Sequence, residues 1–259
     1  MQDPRVVNPP VLVEVCVDSL DGALAAVEGG AGRIELCAGL AEGGTTPSLG
    51  LIEAVREAVS VELIVLLRPR PGDFLYSEGE LDLMLRDAAH ARNAGADGLA
   101  LGILRANGSV DGERTRALVE ATAPLSVTFH RAFDLARDAC EALEGVLASG
   151  CRRLLTSGQA ARAPEGLATL RTLVATAGDG LSVIPAGGLQ PDNVVRVVRE
   201  SGAHEVHLSA SGRCVSAMGF RREGLALGAG TLPGEYERRA TRAELVCATV
   251  AAVAGLERA

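Results

Sequence analysis

The chain has 259 residues, 47% of them apolar but only 2% aromatic, with no tryptophan and a formal charge of −8. That length suits one large α/β unit or two small domains, with a core built from Val, Leu, Ile and Ala. All 25 basic residues are arginine, which excludes Schiff-base lysine chemistry, covalent pyridoxal phosphate (PLP) and a Walker-type phosphate lysine; an acidic, aromatic-poor surface also makes a poor match for nucleic acid.

The six cysteines form no CxxC pair and no disulfide-like framework, a usage that fits a reducing cytosol. No apolar leader opens the chain, and no segment reaches the ~18 apolar residues of a membrane span. The expectation is a cytoplasmic, soluble protein with no membrane partner.

In chain order, strands are predicted at 12–16, 33–37, 62–68, 98–102, 125–130, 152–156, 181–186 and 204–209. Amphipathic helices lie between them, for example 79–94 and 164–175, with Pro47 and Pro164 near helix starts. Gly30, Gly95, Gly150 and Gly202 each follow a helical stretch and precede a strand, where a helix ends in a left-handed residue. Strand–helix alternation means a parallel sheet, and eight units mean a (β/α)8 TIM barrel spanning residues 1–259 as one domain. A doubly wound open sheet is the alternative. Residues 210–240 show no clear period, and 240–256 read as a closing helix.

Side chains alternate along a strand. In VEVC, Glu14 and Cys16 share the face opposite Val13 and Val15. In IELC, Glu35 and Cys37 oppose Ile34 and Leu36. VTFH turns Thr128 and His130 inward, and EVHLS does the same with Glu205, His207 and Ser209. Arg68 ends LIVLLR at the same level. The polar residues thus collect inside, toward the C-terminal ends of the strands, where barrel active sites sit. Buried carboxylates need partners, and Arg68, Arg70 or Arg131 are the expected partners of Glu14 and Glu35.

Two functional readings follow, beside a purely structural ion cluster. In the first, LRPRPGDFLYS uses Arg68 and Arg70, with Asp73, to grip a carboxylate or phosphate. HRAFD then supplies His130 as general base or acid, with Asp134 orienting it or pairing with Arg131, and Glu14 or Glu35 assisting. LTSGQA (Ser157), IPAGGLQPDN (Gly187, Gly188) and HLSASGR (His207, Ser209) follow strands six to eight and form an anion cradle. That describes a barrel enzyme acting on a small anionic metabolite by proton transfer or hydrolysis. In the second, Cys16 and Cys37 end neighbouring strands, and two soft thiolates suit linear Cu(I), whereas zinc would need further ligands. Free cysteine is also a small buried hydrophobe.

EVCVDSLDGALAAVEGGAGRIELCAGLAEGGTTPSLGLI, LLRPRPGDFLYS, GADGLALGIL, VTFHRAFD, LTSGQA and IPAGG, in that order, closely resemble the CutC family of copper homeostasis proteins, from about residue 12 to 210. The resemblance implies a (β/α)8 barrel, a cytoplasmic homodimer, a role in copper tolerance or trafficking, and Cu(I) held at Cys16 and Cys37. Two departures are visible. The family tends to read PGGG where this chain has Pro185-Ala186-Gly187-Gly188, and HxSAR where Ser211 and Gly212 here displace the arginine to Arg213.

Overall fold

Strand β1 (Leu12–Val17) begins the first of eight βα units, and the computed structural model describes residues 11–225 and 234–256. The strands that follow are β2 (Arg33–Leu36), β3 (Glu62–Leu66), β4 (Gly98–Leu101), β5 (Ser126–Phe129), β6 (Arg153–Thr156), β7 (Ser182–Pro185) and β8 (Glu205–Leu208). They pair in parallel, in the order β7-β6-β5-β4-β3-β2-β1-β8. A parallel bridge between Ala186 and His207 joins the two ends, so the sheet closes into a ring. Parallel neighbours need a crossover, and the helices supply it: α1 (Leu20–Glu28), α2 (Leu49–Ala58), α3 (Glu78–Asn93), α4 (Gly112–Ala121), α5 (Ala139–Ser149), α6 (Leu167–Ala177), α7 (Val194–Ser201) and the closing helix α8 (Ala243–Val253). This is the predicted (β/α)8 TIM barrel rather than an open sheet.

Local chemistry sets the helix ends. Ser19, Ser48, Ser77, Asp111 and Asp138 cap α1 to α5, each accepting a backbone N–H of the first turn, a contact worth about 1 kcal/mol. Gly30, Gly95, Gly150 and Gly202 have φ of 90, 89, 85 and 76°, the left-handed turn in which any other residue is strained.

The strand alternation divides the core in two. Val13, Val15, Ile34, Leu36, Val127, Phe129, Val206 and Leu208 pack outward against the helices, each burial stabilising by roughly 1.5–3 kcal/mol. Inside the ring, small apolar groups collect separately: Cys16, Cys37, Ile64, Leu66 and Ala100 on one side, Leu155, Ile184 and Ala186 on the other.

The segment 210–240, in which the sequence shows no clear period, carries an antiparallel hairpin of β9 (Ser211–Val215) and β10 (Glu237–Thr241). Its faces are half-exposed and rich in arginine, so no apolar alternation announces it. Arg213 pairs with Glu237 across this hairpin, on the outside of the molecule. Residues 226–233 of the segment lie outside the described part.

Candidate functional site

The lower interior of the barrel is a buried ion network. Glu14, 1% exposed, is bound by the Arg33 guanidinium, which also binds Glu205 and lies 3.5 Å from Glu62. Arg153 binds Glu62 and donates to Ser126 Oγ, while Ser182 Oγ donates to Glu205. Arg33 and Arg153 are thus the inward cations at this level, rather than the expected Arg68, Arg70 and Arg131. The reason is height: Arg68 follows β3 and sits at the rim, above Glu14. Inward alternation through Arg33, Glu35 and Cys37 would have revealed Arg33.

Above this network the C-terminal rim encloses a cavity of about 260 Å³, lined by Cys16, Glu35, Arg68, Phe74, His130, Arg131, Gly187, Gly188, His207 and Ser209 among others. On its floor the strands are staggered. Cys16 pairs in register with Glu35, and Glu14 with both Arg33 and His207. The Cys16 and Cys37 sulfurs nevertheless lie 3.7 Å apart, and Cys16 also donates to Glu35 Oε1 at 3.4 Å. Cys37 is fully buried and reaches back to the Val17 carbonyl, so Cys16 alone of the two faces the cavity.

The titratable groups are strongly biased. The Cys37 sulfur, burial and the Glu35 carboxylate together push the Cys16 thiol well above its ordinary pKa. Burial, then the nearby Glu14 charge, raises Glu35 despite the cations around it. Burial also pushes Glu14 upward, but the hydrogen bond from His207 and the charge of Arg33 outweigh it and hold Glu14 at about 2. Burial would depress His207, yet Glu35 and Glu14 prevail and raise it. Its Nδ1 lies 2.6 Å from Glu14 Oε1.

His130 behaves differently. Burial and the Arg68 charge depress it to about 3, so the ring is neutral. Its Nδ1 accepts the Ala132 N–H at 3.2 Å, which puts the proton on Nε2. Nε2 is buried without a hydrogen-bond partner among the described residues. His130 therefore offers an N–H donor rather than the lone pair of a general base. Gly102 makes room for it: a Cβ there would sit 2.5 Å from His130 Nδ1.

Other predicted residues divide sharply. Arg68 is buried, and its guanidinium donates to the carbonyls of Glu42, Gly44 and Gly72 at 2.7–3.1 Å, with no carboxylate partner among the described residues. Arg131 leans over Gly187, where an added Cβ would lie 3.2 Å from its Nη1. Gly187 and Gly188 both adopt positive φ on the rim. Asp134 orients Arg131, at 2.7 Å, and accepts the Ser157 N–H; it makes no hydrogen bond to His130. Ser157 accepts from Arg131 below the cavity wall. Arg70 and Asp73 do not line the cavity. They bind each other at 3.0 Å, and Arg70 also holds Glu80, which closes the capping box of α3. The RPRPGD loop thus builds a helix start. The Ala186 methyl, which replaces a glycine in the cradle, packs inside the ring with Leu155 and Ile184.

An eight-stranded parallel barrel with paired thiols, a carboxylate and an imidazole on the floor of a C-terminal cavity defines the class: a TIM-barrel protein with its polar site at the usual rim. Residues 11–212 match the CutC family. A CutC family protein of Chromobacterium violaceum is 49% identical over 235 residues, covering 91% of this chain and 95% of the relative. The mouse (Mus musculus) copper homeostasis protein cutC homolog is 46% identical, covering 89% and 85%. Among solved structures, CutC from Streptococcus agalactiae superposes with a TM-score of 0.74 at 31% identity, covering 77% of this chain and 98% of that one. Phosphoribosyl anthranilate isomerase from Thermotoga maritima shares the fold alone, with a TM-score of 0.57 at 14% identity over 95% of this chain and 100% of that one. The chain belongs to the CutC family of copper homeostasis proteins.

Proposed function

We propose that the protein binds Cu(I) as cargo through Cys16 and Cys37 and serves copper homeostasis in the cytoplasm. The observation that carries this reading is the 3.7 Å separation of two buried, unoxidised sulfurs, one of them open to the cavity. Thiolates are the soft donors that select Cu(I). A linear S–Cu–S unit with bonds of about 2.3 Å, the length of a zinc–thiolate bond, spans about 4.6 Å. The sulfurs here are closer, so a loaded pair either opens by roughly 1 Å or holds the ion at a bent angle. All six cysteines are free, as a reducing compartment requires. No described helix is long and apolar enough to cross a membrane. Anaerobic competition of the full chain with a chromogenic Cu(I) chelator tests the proposal. About one Cu(I) per chain is expected, lost in Cys16→Ser/Cys37→Ser. Undiminished affinity in that double variant would overturn it.

A second reading has its own support: Arg68, a buried guanidinium on the cavity wall with no carboxylate partner among the described residues. With Arg131 and the His130 Nε2–H it suits a small carboxylate or phosphate metabolite, on which a barrel enzyme could act. Calorimetric titration with inorganic phosphate and with citrate tests it; a heat signal lost in Arg131→Gln supports it, and silence with both anions rejects it.

A further inference from the structure

Cys16, Glu35 and His207 stand on three adjacent strands, β1, β2 and β8, and each offers one ligand atom within 4.8 Å of the other two. All three are buried, and all line the cavity floor. The geometry points to a second metal site, in which a divalent transition-metal ion such as Zn(II) is bound by Cys16, Glu35 and His207 with its open position turned toward the cavity. It shares Cys16 with the Cu(I) pair and does not use Cys37, so it stands or falls apart from the copper reading.

Four observations carry it. Glu35 Oε2 is buried with no hydrogen-bond partner among the described residues, a costly arrangement that a bound cation relieves. The Cys16 sulfur lies 3.4 Å from Glu35 Oε1, and ligands bonded at 2.0–2.3 Å on a tetrahedral ion are roughly 3.3–3.8 Å apart. His207 is already oriented as a ligand: its Nδ1 is engaged by Glu14, itself fixed by Arg33, which leaves Nε2 for the metal. A carboxylate behind the histidine is the usual outer shell of a zinc ligand. Charge balance favours a divalent ion, because one thiolate, one carboxylate and a neutral imidazole neutralise it, whereas a monovalent ion would leave a buried negative charge.

Three protein ligands and an open position are the arrangement of catalytic rather than structural zinc. Arg68, Arg131 and His130 line the same cavity as the three ligands. A water or an anionic oxygen would occupy the open position, with the ion as Lewis acid. Loading releases to solvent the Cys16 thiol proton and any proton held on Glu35 or on His207 Nε2, and changes no oxidation state.

Cobalt(II) tests the site in the reduced, full-length protein, because a thiolate ligand gives it a near-ultraviolet charge-transfer band. One Co(II) per chain with that band is expected, displaced by Zn(II). Cys16→Ser should abolish the band, while Cys37→Ser keeps both band and affinity. Glu35→Gln and His207→Gln should weaken binding at least about tenfold, and Glu14→Gln by about 10- to 100-fold. Absence of the band in the unaltered protein overturns the proposal, whatever the variants do. So does its loss in Cys37→Ser, or unchanged affinity in both Glu35→Gln and His207→Gln. Cu(I) competition on the same variants separates the two sites, since Cys37→Ser is expected to lose Cu(I) while keeping Co(II).

Discussion

His207 Nδ1 and Glu14 Oε1 meet at 2.6 Å although the residues are 193 positions apart. Their contact joins β8 to β1, beside the join between the ends of the sheet. Glu14 is held from its other side by Arg33, and Arg33 returns to Glu205 on β8. One guanidinium on β2 therefore ties in β1, β8 and β3 beneath the cavity, and it fixes the floor on which the sulfurs and the imidazole rest.

Removing that cation should be severe. Arg33→Ala leaves Glu14 buried and only His207 to oppose it, together with a half-buried Glu205. Breaking a buried pair from one side costs about 3–5 kcal/mol. Urea denaturation at pH 7 measures the loss, and a cost below about 1 kcal/mol would show that the network is structurally idle.

His130 makes the fold acid-sensitive in a defined window. Its folded value of about 3 lies below the ordinary 6.5, so the unfolded chain takes up a proton that the folded one refuses. The stability this neutral ring allows is complete above pH 6.5 and is lost as the pH falls toward 3. Between pH 7 and 5 that amounts to about 2 kcal/mol. Paired denaturation curves of the unaltered protein and His130→Gln should differ by this amount in their pH dependence; parallel curves would remove the assignment.

Gly102 is expected to be intolerant for one steric reason. A methyl there meets His130 Nδ1 at 2.5 Å and the Ala132 Cβ at 2.8 Å, and such overpacking costs about 1–3 kcal/mol. Gly102→Ala combined with His130→Ala should then cost less than the two single changes added together. Simple additivity would place the clash elsewhere.

The β9–β10 hairpin bears on assembly. On β9 and the segment after it, Val215, Met218, Phe220 and Leu225 are each 53–66% exposed, and exposed large apolar side chains that form a patch mark contact surfaces. The expected assembly is a homodimer that covers them. Sedimentation velocity should show a dimer that Phe220→Asp shifts to monomer, whereas a monomeric unaltered protein, or a dimer indifferent to that change, speaks against this surface.

The barrel was legible because its signals are local. Apolar and polar residues alternate in β1, β2, β5 and β8, serine and aspartate caps open helices, and four glycines close them; each predicted barrel strand lies within two residues of its observed ends. The inward faces of Cys16, Glu35, His130 and His207 followed from the same period of two. The hairpin escaped because strands half-exposed on both sides carry no alternation to read.

Pairing across the ring was a different matter. That Glu14 would meet Arg33 and His207 rather than Arg68 depends on how far each strand slides against its neighbour, whereas Asp134 with Arg131 and Arg70 with Asp73 and Glu80 are short-range contacts settled by the loops after β5 and β3. That stagger arises when the whole sheet closes. Residue order dictates which way a side chain faces, since alternation is built into each strand's own backbone. Closure alone decides at what height it sits and whom it touches, and for the thiol, carboxylate and imidazole on the cavity floor, height is what makes three scattered residues a site.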